Sequence, residues 1–227
     1  MTPRLSIIVP MLDEAPGIAA TLQGLRPLAA EVIAVDGGSS DDTVAVAALH
    51  ADRVLVAPRG RARQMNAGAA LAAGEVLLFL HADTQLPPGG DRLVLAAIDE
   101  GAAWGRFDVR IAGRSRWLPV IAALMNLRSR LTGIATGDQA IFVRRDAFVA
   151  AGGFPEQPLM EDIALSARLR RGGRPACLRA RVTTSGRRWE AGGVWRTIVL
   201  MWSLRLRYFL GAAPERLARD YRHARES

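Results

Sequence analysis

His81 and Asp83 stand two residues apart, just past the apolar run EVLLFL, Glu75–Leu80. A buried strand ending in an imidazole and a carboxylate delivers two groups able to meet a metal or a phosphate to one edge. Two other apolar runs end in the same way. RLSIIVP (Arg4–Pro10) leads into Asp13 and Glu14, and EVIAVD (Glu31–Asp36) ends on Asp36, before Gly37 and Gly38. In an open parallel sheet, ligands bind outside the carboxyl ends of the strands. Three strand ends therefore bring carboxylates to one place. Groups that only accept hydrogen bonds suit hydroxyls, imide N–H groups and hard divalent cations, as on ribose, uracil and Mg2+. Mn2+ or Mg2+ uses one or two protein carboxylates and fills its shell with phosphate oxygens and water. Asp83 is the expected first ligand. His81 reads as a second ligand, a donor to phosphate, or an imidazole bonded to backbone. Asp41 and Asp42 read as helix caps beside Ser40.

Several chemistries are excluded. DGGSSDD is not G-x-G-x-x-G and follows the second strand rather than the first, which argues against a dinucleotide oxidoreductase. The chain has no lysine, hence no Walker A motif, and no G-x-S-x-G elbow. With three histidines, a His-based zinc triad is not expected. One cysteine, Cys177, excludes a disulfide framework and suits a reducing cytoplasm. The opening MTPRLSIIVP lacks the apolar stretch and cleavage site of a secretory signal. The net charge of +8 rests on arginine alone. It reflects either a composition rich in alanine, glycine and arginine or an anionic partner. Nucleic acid is not expected, because the arginines are scattered and no finger, zipper or RNA-recognition pattern occurs.

The elements that must hold these residues follow from periodicity. Half of the 227 residues are hydrophobic, enough for one domain over 1–227. Strands are expected at Arg4–Pro10, Glu31–Asp36, Arg53–Pro58 and Glu75–Leu80. Helices are expected between them, at Glu14–Leu28, after Asp42 and over Gly60–Ala73. Strands alternating with helices predict an α/β layer with a mainly parallel sheet, covered on both faces because its strands are apolar almost throughout. After Gly101 the pattern changes. WGRFDVRI alternates, as in a strand with one wetter face. A helix over about Ser115–Arg130, the strand QAIFVRR and the helix EDIALSARLRR follow. A helical segment from about residue 192 covers Val194–Leu210 and precedes a polar tail. WLPVIAALMNL and TIVLMWSL are too short to span a bilayer, which takes roughly 20 residues. They are expected to pack on the core, with peripheral contact at the inner membrane face as the alternative.

Taken in order, SIIVPMLDEAPGI, EVIAVDGGSSDDT, GRARQMNAGAALAAGEVLLFLHADT, GDQAIFVRRDAF, GGFPE and LMEDIALSARLRRGGR resemble family 2 glycosyltransferases over about Leu5–Arg188. The resemblance implies a GT-A fold, a nucleotide-sugar donor, a small or lipid-linked acceptor, Mn2+ or Mg2+, and inversion at the anomeric carbon. FLHADT with TGDQAIF further resembles a bacterial subgroup labelled arsenosugar-biosynthesis or selenodomain-associated transferases. Carried over by position, Pro10, Leu12 and Glu14 meet the nucleotide, and Asp36 reads the base, most often uracil. Arg63 and Asn66 close over base and diphosphate. The D-x-D motif falls on His81-Ala82-Asp83, with Asp83 on the metal and His81 in place of the usual aspartate. Asp162 would be the catalytic base, with Glu161 beside it. Gly137, Asp138 and Gln139 would meet acceptor or donor sugar. Arg188 and Trp189 resemble the Q-x-x-R-W of processive members, with Ser185 in place of glutamine. Single transfer is therefore expected. The competing readings are a nucleotide-sugar-binding regulatory protein and a sugar-phosphate nucleotidylyltransferase, though the glycine-rich loop and lysine of the latter are missing.

Overall fold

The computed structural model describes residues 3–226, the side chains of Arg188, Arg225 and Glu226 excepted. In chain order the elements are β1 (Leu5–Met11), α1 (Ala15–Leu25), β2 (Ala30–Asp36), α2 (Thr43–Ala48), β3 (Arg53–Val56), α3 (Arg61–Leu71), β4 (Val76–Phe79), β5 (Thr84–Gln85), α4 (Gly90–Asp99), β6 (Trp104–Ala112), α5 (Leu118–Thr132), a 3-10 turn (Gly137–Gln139), β7 (Ile141–Arg144), α6 (Arg145–Ala150), α7 (Glu161–Leu169), β8 (Ala176–Ser185), α8 (Arg187–Ala191), α9 (Val194–Phe209) and α10 (Pro214–Glu226). The strands form one sheet in the order β3-β2-β1-β4-β7-β6-β8-β5. Pairing is parallel from β3 to β4 and between β6 and β8, and antiparallel where β7 and β5 join.

The unbroken apolar runs are explained by packing on both faces. Ile7 and Val9 of β1 join Leu78 and Phe107 in the core under α1, α4 and α5. Ile8 points the other way and meets Ile33, Leu77 and Phe79 under α3 and α7. Each such side chain contributes about 1.5–3 kcal/mol on burial. α3 lies close to the sheet because Gly68 has no side chain: a Cβ there would come within 2.5 Å of Ile8 Cγ2.

Four expectations are corrected. The first helix stops at Leu25 rather than Leu28, because Pro27 cannot continue it. β6 has no wetter face until Arg110: Trp104–Val109 are all buried, Arg106 included. Arg106 is neutralised internally by Asp108, and its Nε donates to Ser129 Oγ at 3.1 Å. Arg130 donates to the other Asp108 oxygen at 2.6 Å. The polar tail is the helix α10, which buries Leu217 against Leu204 and Met160 and pairs Asp220 with Arg207 at 2.6 Å.

The fourth correction concerns the two apolar helices. Core packing uses only one face of each: Leu118, Ile121 and Met125 of α5, and Leu204 of α9. The opposite faces are exposed. Trp117, Val120, Leu124, Leu127 and Leu131 form one stripe, and Trp195, Val199, Trp202, Leu206 and Phe209 form the other. Their alternating three- and four-residue spacing puts each set on a single helix face. The helices meet where Trp117 packs edge-on to Trp195, ring centroids 4.8 Å apart. Among the described residues, no helix is long and apolar enough to cross a membrane.

Candidate functional site

Strand register brings the expected residues to one edge. Met11 pairs with Asp36, so β1 and β2 end level; Phe79 pairs with Ile8, so β4 ends three residues earlier and the chain runs on through His81 to Asp83. The loops leaving β1 and β2 are laced together. Ser40 N–H donates to Asp13 at 2.7 Å, and Asp13 N–H donates to Ser39 Oγ at 2.9 Å. Glu14 N–H donates to Thr43 Oγ1 at 2.8 Å, and Ala15 N–H to Asp41 at 3.2 Å. Asp41 also takes the Thr43 N–H, whereas Asp42, at the cap position, makes no side-chain cap bond. Asp36 is buried and accepts from Gly38 N–H at 2.7 Å, Ser39 N–H at 2.9 Å and the Ser39 hydroxyl. Pro10 is buried in β1, and Leu12 is half-buried beside it. Gln64, not singled out from sequence, pins α3 to this edge, its buried amide donating to the Met11 and Val35 carbonyls at 2.8 Å each. Asn66 both donates to and accepts from the Phe154 backbone, and Arg63 pairs with Glu156 at 3.1 Å.

β7 runs antiparallel to β4 with Phe79 opposite Ile141, so the residues preceding β7 lie beside those following β4. The turn Gly137–Gln139 thereby meets His81. His81 Nδ1 sits 3.3 Å from an Asp138 oxygen, while Nε2 is buried without a hydrogen-bond partner. A side chain at Gly137 would overlap that nitrogen, so the close approach requires glycine. Ala82 is buried, and its carbonyl accepts the Thr21 hydroxyl at 2.6 Å. The Asp83 carboxylate takes one long bond from Thr84, at 3.4 Å. No cluster of three or more metal-binding side chains occurs among the described residues. One open carboxylate fits Mn2+ or Mg2+, which takes most of its ligands from phosphate oxygens and water; it does not fit an ion that needs an all-protein cage.

The acid end of α7 faces the same pocket. Met160 precedes it in the left-handed region (φ +67°), as do Asp13 (φ +52°) and Ala140 (φ +48°) at neighbouring loops. These are the non-glycine positive φ values among the described residues, and all three border this site, where such strain concentrates. Asp162 accepts Gly137 N–H at 2.7 Å and Ile163 N–H at 2.7 Å. His81, Gly137, Glu161 and Asp162 line one small pocket. Glu161 is buried and paired with Arg61 at 3.3 Å. Burial pushes its carboxyl above the usual range; Arg61 pulls it down and Asp162 raises it further. Gln139 is fully buried, with its amide held by Thr136 N–H at 3.2 Å and by Asn126 at 3.4 Å. Its side chain is thus spent inside the protein, unlike that of an acceptor contact.

β5 pairs with β8, Thr84 opposite Thr184, and this returns the TTSGRRW segment to Asp83. Ser185 N–H donates to the Asp83 carbonyl at 3.2 Å, and Arg187 pairs with Glu14 at 3.1 Å. Trp189 is half-buried against the apolar core. The Arg188 side chain lies outside the described residues. The structure thus unites Asp13, Glu14 and Asp36 on one side and His81, Asp83, Gly137, Asp138, Glu161 and Asp162 on the other. Sequence reading missed Gln64, Arg61 and Arg187, although all three sit inside motifs already singled out.

Comparisons with known proteins bear on the whole arrangement. A sequence-family model described as "Glycosyl transferase family 2" matches residues 6–151. An uncharacterized glycosyltransferase of Mycobacterium tuberculosis is 31% identical over 99 residues, 43% of this chain and 45% of the relative. A PGL/p-HBAD biosynthesis glycosyltransferase of Mycobacterium bovis is 36% identical over 94 residues, 37% of each. The matched part is thus less than half the length of these curated relatives. Among solved structures, the mannosyltransferase PcManGT of Pyrobaculum calidifontis, in complex with GDP-Man and Mn2+, aligns at TM-score 0.67 and 20% identity, over 99% of this chain and 69% of its own. Staphylococcus aureus TarS with UDP-GlcNAc aligns at TM-score 0.67 and 20% identity, over 81% and 59%. These likenesses bear on the fold, which is GT-A.

Proposed function

The chain belongs to glycosyltransferase family 2, and on that premise we propose that it moves one sugar from a nucleotide-diphosphate donor, UDP-linked, to a small or lipid-linked acceptor, with inversion and with Mn2+ or Mg2+. The observation that carries this reading is the pocket shared by His81, Gly137 and Asp162 at the end of β4, two residues from the open carboxylate of Asp83. Complexes of the fold neighbours with GDP-Man and Mn2+, or with UDP-GlcNAc, support the choice of donor and cofactor.

In this reading the nucleotide lies over the β1 and β2 ends, between the Asp36 loop and the Pro10–Glu14 segment. Asp36, buried and bonded to Gly38 and Ser39, shapes the loop that borders the base, and Arg63, Asn66 and the Arg187–Glu14 pair border the diphosphate. Asp83 would hold the cation, which when bound would supply positive charge against the departing diphosphate. His81 stands where a second acid is usual and meets Asp138 instead. Asp162 accepts the proton of the attacking hydroxyl while its bond from Gly137 N–H fixes its bearing. Bound geometry supplies the rest, by holding acceptor and anomeric carbon in contact. The arsenosugar-type context rests on FLHADT and TGDQAIF. Peripheral membrane contact is supported by the exposed apolar stripes of α5 and α9 beside Arg116 and Arg196.

Calorimetry tests the reading. UDP or a UDP-sugar should bind with an affinity that depends on Mn2+ and that Asp83→Ala abolishes. No metal-dependent binding of any nucleotide or nucleotide sugar would overturn it.

A further inference from the structure

Among the described residues, five buried side-chain nitrogens have no hydrogen-bond partner, and four of them belong to His81, Arg128 and Arg205. His81 Nε2 lies against Gly137. The other three belong to two guanidinium groups: Nε and Nη2 of Arg128, on α5, and Nε of Arg205, on α9. Guanidinium nitrogens are donors only, and leaving them buried and unpaired is costly. Native chains keep few such groups, and each one calls for an explanation.

Nearby charge makes the need sharper. Arg106 is satisfied by Asp108 and Ser129, and Arg130 by Asp108. Arg128 has no such acid. Burial and the like charge of Arg205 push its pKa down to about 10, with Asp162 pulling the other way. α5 reaches the turn that holds Asp162, since Asn126 accepts from Gln139 at 3.4 Å and Gly137 N–H donates to Asp162 at 2.7 Å. α9 is held over the start of α7 by Leu200, Met201 and Leu204, which pack on Met160 and Ile163. Asn126, one turn-fraction before Arg128, clamps α5 to β6 through Val109 N–H at 2.9 Å and the Val109 carbonyl at 3.0 Å. Both arginines are thus carried on anchored helices rather than on loose surface chain.

We infer that Arg128 and Arg205 form an anion subsite beside Asp162, built to receive a phosphate-type oxyanion carried by the acceptor. The inference rests on the glycosyltransferase reading for the word acceptor, but the subsite itself does not. Two guanidinium forks converging on one anion make the short, charge-assisted bonds that a doubly charged oxyanion favours. The anion supplies the missing partners, and its host molecule is thereby drawn toward Asp162. The shared chemistry is a phosphate monoester or diester, on a soluble metabolite or on a lipid headgroup.

The test uses the full chain in chelator, so that no cation-dependent diphosphate site contributes. Melting temperature is followed against inorganic phosphate at constant ionic strength, and binding is followed to phosphatidylcholine vesicles with and without phosphatidic acid. The double variant Arg128→Met, Arg205→Met keeps the apolar stems; Arg92→Gln, Arg179→Gln is the charge-matched control. Wild type and control should be stabilised by phosphate, by phosphatidic acid, or by both. The Met variant should need roughly tenfold more of the active anion, and it should melt no lower than wild type in its absence, because an unpaired charge has been removed. A response to phosphate alone assigns a soluble acceptor, and a response to phosphatidic acid alone a lipid-linked one. No response from wild type, an undiminished response from the Met variant, an equal loss in the control, or a Met variant that melts markedly lower would each overturn the subsite. UDP binding with Mn2+ separates the two readings: it survives in the Met variant if the function holds, whatever the phosphate result.

Discussion

Asp162 carries the chemistry in the proposed reaction, and its surroundings define how it can be tested. Asp162→Asn keeps the shape of the helix start and removes the basic oxygen. It is expected to bind UDP-sugar as wild type does and to lose at least about 10²-fold in kcat; steady-state kinetics with calorimetry on the same sample decides it. Glu161, its neighbour, gives a separate signal. Its carboxyl holds a proton more tightly folded than unfolded. The stability this confers is complete below the ordinary value of 4.5, and it is lost as pH rises through the folded value. Glu161→Gln should remove that decline, so the Tm of wild type should fall relative to the variant as pH climbs from acid toward neutral. Calorimetric scans across pH give the slopes directly. Asp36, Asp83 and Asp162 were all legible as residue types at strand or helix ends. What each one touches was not. The bonds from Gln64 to two carbonyls and from Gly137 to Asp162 join segments that meet only in three dimensions.

At the scale of elements, legibility followed burial. β1, β2 and β4 were readable because sheet strands covered on both faces are apolar at every position. β6 misled because a polar letter was equated with water. Arg106 and Asp108 lie inside, satisfied by each other and by α5, a compensation that no pattern of single residues displays. β8 escaped notice because it is half-exposed and mixes ACLRARVTTS without clean alternation. α10 looked like tail because, among its described side chains, just Leu217 and Ala218 are buried. The buried pair makes its own prediction. Asp108→Ala strands the Arg106 charge in the core and should cost about 3–5 kcal/mol. Replacing both residues, Arg106→Met with Asp108→Leu, should recover much of that loss, as urea denaturation of the two variants would show.

At the scale of the molecule, the balance of charge and greasy surface stands out. A chain of net charge +8 presents two apolar stripes, on α5 and α9, that meet at Trp117 and Trp195. Sequence periodicity marked both helices as apolar but not that their apolar residues face two ways, because the helices were treated as having one buried face. Leu124→Glu with Leu206→Glu should abolish sedimentation with anionic vesicles and leave UDP binding unchanged. Loss of nucleotide binding in that variant, or vesicle binding at the wild-type level, would count against a membrane-facing role.

The laced loops after β1 and β2 have a consequence for motion. The amides of Asp13, Glu14, Ala15, Gly38, Ser39, Ser40 and Thr43 lie in loop or helix-entry positions, yet each donates to a side chain across or within the lacing. Such amides exchange with deuterium slowly, because release requires the two loops to part together. In the proposed reaction this rim is therefore set before the nucleotide arrives, and binding there would spend little on ordering the chain. Across from it, the Ser185–Trp189 segment is anchored as well, by its pairing with β6, by Gly186 N–H on the Ala112 carbonyl at 2.6 Å and by the Arg187–Glu14 ion pair at 3.1 Å. Nucleotide arrival at the proposed site should accordingly leave exchange nearly flat across 36–43: a rigid palm.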